Sequence, residues 1–210
     1  MIVVLTGAPG AGKGTQADLL VERNNFYKLS TGDALRNQIK ADTELGRSAK
    51  EFMNQGRLVP DDLLFNILQE ELAGAGGRKV LLDGYPRNID QAKTLSGLSD
   101  RWPVTMALHL DVAESELVSR LSGRRTCASC GASFHEVFNK PTVDGVCDRC
   151  GGELKQRPDD AEDKVKVRLD VYRESTEPVL EFYKERGLYQ KVDGLGNTED
   201  VFRRIDAALS

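Results

Sequence analysis

The sequence predicts an α/β fold, a parallel five-stranded sheet flanked by helices and interrupted by a small cysteine-bearing insert. Three observations predict it. Short β-branched and leucine-rich runs alternate with helical patterns along the chain. The first run leads into a glycine-rich loop that opens a helix. All four cysteines fall in residues 123–157, a glycine-rich stretch with little helical periodicity. Alternating strands and helices imply parallel neighbours with both faces covered.

Five apolar runs read as strands: residues 2–6, 26–29, 80–82, 104–110 and 188–192. Residues 13–23 read as a helix after the glycine loop, and residues 31–55 as two short helices broken near Gly46. Asp61 and Asp62 open another, with Leu64, Leu68 and Leu72 on one face. Shorter helices are predicted over 89–95 and 114–121. Beyond the insert, Val165, Leu169, Tyr172, Thr176, Val179 and Tyr183 step by three and four, the period of one long amphipathic helix. Asn197 or Thr198 caps a last helix carrying Val201, Ile205 and Leu209.

The 210 residues suffice for one large domain, or one core with inserted lobes. The net charge of −4 argues against a long nucleic-acid footprint, yet leaves room for a small anionic substrate held by a local positive cluster. No apolar run approaches the roughly 20 residues that span a bilayer, so no membrane partner is expected. The start Ile2–Leu5 has no basic flank and reads as a strand rather than a leader. A cytoplasmic setting is expected, and with it reduced cysteines.

Gly7-Ala8-Pro9-Gly10-Ala11-Gly12-Lys13 fits G-x-x-x-x-G-K between a strand and a helix, as in P-loop NTPase-like folds. Its glycines let backbone N–H groups cradle phosphate oxygens, the helix N-terminus adds partial positive charge, and Lys13 brings a full one. Gly14 follows the lysine where Ser or Thr is usual, which weakens a direct metal-ligand role for Thr15. Asp83 ends an apolar strand, where a residue holding Mg²⁺ through water is expected beside such a loop; a turn or cap aspartate is the alternative.

Cys127-x-x-Cys130 and Cys147-x-x-Cys150 are separated by 16 residues, a spacing typical of structural zinc. Gly131 and Gly151 follow each pair and allow a tight turn under a metal. Four thiolates leave no open coordination position, so the site reads as structural. It would replace a core that so small a lobe can hardly build. Disulfides or free thiols are the alternative.

Several motifs resemble the adenylate kinase family in order and spacing. They are GAPGAGKGTQ (7–16), Thr31-Gly32-Asp33 with Arg36, Gly56-Arg57-Leu58-Val59-Pro60, and Asp83-Gly84-Tyr85-Pro86-Arg87 with Gln91. Arg120, Arg124 and Arg125, then Gln156-Arg157-Pro158-Asp159-Asp160 with Arg168, complete the set. The cysteine insert is similar to that of the zinc-bearing bacterial type. The resemblance implies a CORE (1–29, 60–121 and 161–210), an AMP-binding lobe (30–59) and a zinc-ribbon-like LID (122–160). It also implies reversible transfer of the terminal phosphate of Mg·ATP to AMP, giving two ADP, by a monomer. ATP would be held by Gly10, Ala11, Gly12, Lys13, Gly14, Thr15, Arg124, Ser133, Phe134 and Gly196. AMP would be held by Thr31, Arg36, Arg57, Leu58, Val59, Gly84, Tyr85, Pro86, Arg87, Gln91, Arg157 and Arg168. Lys13, Arg87, Arg120, Arg124, Arg157 and Arg168 would carry catalysis.

Such chemistry needs no general base, because the attacking phosphate oxygen is already ionised. It needs aligned polyanions and fixed positive charge, which arginine supplies in pairs of donors. His109 is accordingly read as a packed core residue, and His135 as remote from the reaction. Asp159 and Asp160 either cap the long helix or hold lid arginines or ribose when the lid closes. Rival readings are a kinase for UMP, CMP or GMP, a slow P-loop ATPase switch, and a nucleic-acid-binding zinc ribbon. Residues 120–157 carry seven Lys/Arg against four Asp/Glu, which suits the last reading or a lid over triphosphate.

Overall fold

The computed structural model describes residues 1–209. Ser210, the last residue of the expected third CORE segment, lies outside them. Strand β1 (Ile2–Gly7) leads through the glycine loop into α1 (Lys13–Asn24), followed by β2 (Tyr27–Ser30). The chain continues through α2 (Thr31–Lys40), α3 (Glu44–Asn54), α4 (Asp61–Gly74), β3 (Val80–Asp83), α5 (Ile89–Ser96), β4 (Val104–Asp111) and α6 (Glu114–Ser122). Strands β5 (Arg124–Cys127), β6 (Ser133–His135) and β7 (Leu154–Lys155) form a separate three-stranded antiparallel sheet. Helices α7 (Glu162–Val171) and α8 (Pro178–Lys184), strand β8 (Tyr189–Asp193) and helix α9 (Thr198–Leu209) end the chain.

The main sheet is parallel, ordered β2-β3-β1-β4-β8, as the five apolar runs predict. Every residue of β1 is buried, so its faces are read from alternation alone. Val3 and Leu5 join one layer with Leu20, Leu117, Leu169 and Ile205, while Ile2 and Val4 join the other with Leu68, Leu95 and Val179. Outside these layers, Leu35, Ala49, Val59, Leu64 and Ile67 form a small core between α2, α3 and α4. Among the described residues no helix is long and apolar enough to cross a membrane.

Two helical expectations need correction. The break between α2 and α3 lies at Ala41–Thr43, not near Gly46. Asp42 adopts φ 50°, and Thr43 caps α3 by accepting the Gly46 N–H at 3.0 Å. Gly46 serves contact rather than chain reversal, since a Cβ there would strike the Gln38 carbonyl. Nor is the long helix uniform. A π turn over Tyr172–Thr176 separates α7 from α8, and the Glu177 N–H donates to the Tyr172 carbonyl at 2.9 Å. Pro178 follows with no N–H to give a regular helix. Val165 and Leu169 therefore pack in one core layer, and Val179 and Tyr183 in the other.

Candidate active site

The carboxyl ends of β1, β2 and β3 open into a cleft of about 740 Å³, roofed by the small sheet. Ligands in open α/β sheets bind at this edge. Gly10 and Gly12 hold φ 87° and 95°, turning the loop so that α1 starts at Lys13 against the cleft. Lys13 Nζ donates to the carbonyls of Gly7 at 2.6 Å and Ala8 at 3.0 Å. Burial pulls this ammonium down to about 8; Asp83 opposes that fall, and Arg87, Arg168 and Arg124 add to it. Asp83 ends β3 beside the loop, and a Cβ on Gly14 would stand 3.9 Å from its Oδ2.

On the α2 side, buried Thr31 donates to the Gly84 carbonyl at 2.8 Å. Arg87 Nε donates to the same carbonyl at 2.7 Å, and Arg36 pairs with Asp33. Val59, Leu58, Pro86 and the exposed Arg57 line the cleft, whereas Tyr85, expected beside them, is buried in a core layer and does not line it. Gln91 is buried: its Oε1 accepts the Arg87 N–H at 2.7 Å and its Nε2 donates to Asp61 at 2.6 Å. Asp61 thus orients the glutamine, a role its position as helix opener does not announce.

On the small-sheet side, Arg124 makes a two-pronged pair with Asp160 at 2.5 and 2.7 Å. Arg168 reaches Asp160 at 2.6 Å and Asp159 at 3.1 Å. Asp160 is fully buried, and neither acid caps α7, whose N-cap Ala161 has no side-chain bond. The arginine-holding alternative is the one adopted. Replacing Asp160 by Asn leaves two largely buried arginines short of a counter-charge. The amide keeps one acceptor and Asp159 still serves Arg168, so a loss of about 1–3 kcal/mol is expected in urea unfolding.

Arg157 donates to Thr126 at 2.9 Å, and Arg120 to the Gly194 carbonyl at 3.2 Å. Burial, then Arg36 and Arg124, drop Arg157 to about 9. Burial and Arg168 likewise lower Arg87, while burial is the largest cause for Arg168. Cations that depress one another around one cleft describe a place built for a polyanion.

Ser133, Phe134 and Gly196 also line the cleft. So do His135, which the sequence reading set apart from the reaction, and Phe138, which it did not consider; their rings lie 4.5 Å apart. His135 Nδ1 accepts the N–H groups of Val137 and Phe138, so the imidazole is fixed by its own turn. His109 is buried in β4 as expected, 3.1 Å from the Thr6 hydroxyl.

The four cysteines meet at the tip of the small sheet, with all Sγ atoms within 4.8 Å of one another. Cys127 and Cys150 are 3.5 Å apart and Cys130 and Cys147 3.6 Å, too far for disulfides. Tetrahedral thiolates at about 2.3 Å from one ion would be about 3.8 Å apart. Gly131 and Gly151 turn each pair with φ 76° and 69°. The donor set fits one enclosed metal ion.

The adenylate kinase family profile matches residues 5–188. A protein named adenylate kinase from Methanocella arvoryzae is 48% identical over all of this chain and 98% of its own length. Those from Thermodesulfovibrio yellowstonii and Methanosarcina barkeri are 44% and 46% identical, again over all of this chain, covering 99% and 98% of theirs. With the phosphate loop, the paired arginines and the thiolate tip all present in one fold, the chain belongs to the adenylate kinase family.

Proposed function

We propose that the protein transfers the terminal phosphate of Mg·ATP to AMP reversibly, giving two ADP. The gathering of Lys13, Arg87, Arg157 and Arg168 around one cleft carries this reading. A hydrolytic switch does not require cations on two facing walls, and the presence here of Lys13, Arg120 and Arg124 on one side and Arg36, Arg57 and Arg87 on the other supports transfer between two anions. The loop side, Gly10 to Thr15 with Arg124, Ser133, Phe134 and Gly196, is assigned to ATP. The α2 side is assigned to AMP: Thr31, Arg36, Arg57 to Val59, Gly84 to Arg87, and Gln91. Arg120, Arg157 and Arg168 would face the phosphates between them. CORE (1–29, 60–121, 161–210), AMP-binding lobe (30–59) and LID (122–160) are the proposed divisions. A monomer in the cytoplasm, with no membrane or nucleic-acid partner, completes the proposal.

The chain's part in the reaction is electrostatic. Lys13 and the loop N–H groups hold the ATP phosphates, and the arginines align the AMP phosphate in line with the transferring group. The small sheet roofs the cleft and limits access of water to that group. Asp83, beside the loop, would hold Mg²⁺ through water. When bound, the ion neutralises charge on the β- and γ-oxygens. Cys127, Cys130, Cys147 and Cys150 would hold structural Zn²⁺.

Phosphoryl transfer from Mg·ATP to AMP, GMP, CMP and UMP tests the reading. Two ADP per AMP consumed, with the other bases nearly inert, is the expected result. A pyrimidine preference would overturn the assignment of Thr31 and Gln91, and ADP formed equally without any monophosphate would reject transfer.

The lowered Lys13 sets a pH dependence. Free protein loses this charge above about pH 8 rather than near 10.5, whereas bound phosphate holds the proton on. ATP binding then takes up a proton, and KM for ATP should climb above about pH 8, approaching tenfold per unit. A flat KM from pH 7 to 9.5 would show that Lys13 stays charged in the free protein.

A further inference from the structure

We propose that Arg149, Asp18 and Lys28 are positioning residues that carry closure of the small sheet to Arg36 on the AMP side; this rests on the AMP assignment above.

Each C-x-x-C turn reaches across the cleft once. The carbonyl of Ala128, inside the first turn, accepts from Lys40 at the end of α2 at 3.4 Å. Arg149, inside the second turn, stands 3.5 Å from Asp18 Oδ2 on α1. The thiolate tip is therefore also the part of the roof that touches the floor.

The second contact does not end at Asp18. Its other oxygen, Oδ1, accepts from Lys28 on β2 at 2.8 Å. Lys28 also faces Asp33 Oδ2 at 3.5 Å, and Asp33 Oδ1 pairs with Arg36. Five charges of alternating sign thus run from the roof to the AMP side: Arg149, Asp18, Lys28, Asp33, Arg36. Exposure falls from 60% at Arg149 through 30% at Asp18 to 20% at Lys28, then rises to 43% at Asp33 and 32% at Arg36. The chain's outer end is free to break and re-form, while its middle is held. Burial works against the Lys28 ammonium, yet Asp18 and Asp33 raise its pKa above the ordinary lysine value. Burial likewise works against the Asp33 carboxylate, but Arg36, Lys28 and Arg157 outweigh it and hold Asp33 at about 2.

Alternation fixes the sign of the coupling. Arg149 arriving at Asp18 loosens the hold of Asp18 on Lys28. Lys28 then draws more strongly on Asp33, and Asp33 releases Arg36 toward an incoming phosphate. Closure favours the AMP phosphate, and by linkage AMP favours the Arg149–Asp18 contact.

The test is a double-mutant cycle between Arg149 and Lys28, whose side chains are joined in this chain only through Asp18. KM for AMP is measured at saturating Mg·ATP in low salt and in about 0.5 M salt, in full-length proteins whose unfolding midpoints are also recorded. Arg149→Met should raise KM for AMP about two- to fivefold without lowering kcat, the range of an exposed ion pair. High salt should erase the difference, and Arg149→Lys should restore the wild-type value. In Lys28→Met protein, Arg149→Met should change KM for AMP no further. Lys28→Gln serves as the background if Lys28→Met is poorly folded. An unchanged KM in Arg149→Met, or an equal rise with and without Lys28, overturns the relay while leaving the enzyme reading intact. A wild-type protein that forms no AMP-dependent ADP overturns both.

Discussion

Replacing Lys13 by methionine is expected to lower kcat by about 10²–10³-fold, with a smaller rise in KM for ATP. Methionine keeps most of the stem's volume and removes the charge and its three donors. The loop N–H groups and the surrounding arginines remain, so ATP still binds. What disappears is a cation at the β- and γ-oxygens, where negative charge redistributes during transfer, and one such donor in a water-poor site is worth about 3–4 kcal/mol of barrier. In the free protein the ammonium rests on the Gly7 and Ala8 carbonyls, a local stand-in for its anionic partner. Rapid-quench measurement of the first turnover is the appropriate assay, because steady-state kcat can be masked by slow opening. An effect under tenfold on that first turnover would remove Lys13 from the reaction and shift the burden to Arg87, Arg157 and Arg168.

The second large effect concerns the thiolate tip. Withdrawing metal with a strong chelator, or replacing Cys127 and Cys147 together by serine, should lower the first thermal transition by about 10–20 °C. The apolar residues gathered there are Ala132, Phe134 and Leu154 beside the two inner cysteines, far too few to hold three short strands. A metal held by the four thiolates, as proposed, would supply the missing free energy. A loss of about 5 kcal/mol, well below the full affinity of structural zinc, gives that shift at 2–4 °C per kcal/mol. A single unshifted transition after verified metal removal would show that the tip folds without an ion.

The parallel sheet and phosphate loop were legible because their signals are local. Ile2–Leu5 and Val80–Leu82 are apolar on both faces, and Gly10 and Gly12 stand where the backbone needs positive φ. The cysteine cluster was legible from spacing, though β5, β6 and β7 were not, since two to four residues carry no period. The adjacent pair Asp159 and Asp160 suits a helix N-terminus as well as an arginine clamp. Only the partners, 36 residues away for Arg124, separate those readings. Asp61 and Gln91 meet across 30 residues, and Arg157 and Thr126 across 31, distances at which sequence pattern is silent. His135 was read as remote and Phe138 was passed over because their place on the cleft wall depends on how the small sheet folds over it.

The π turn at Tyr172–Thr176 has a geometric consequence for the whole molecule. One additional residue in a helical turn rotates everything after it by about 100° relative to an unbroken helix. That single residue acts as a phase shifter. It lets one continuous rod present Arg168 to Asp160 at the cleft, tie Thr176 to the Arg87 carbonyl at 2.8 Å, and then seat Val179 and Tyr183 on the opposite layer of the sheet. Deleting one residue from the turn would straighten the rod while leaving its two ends out of phase, so the local geometry would improve at the expense of either the Arg168–Asp160 pair or the far core.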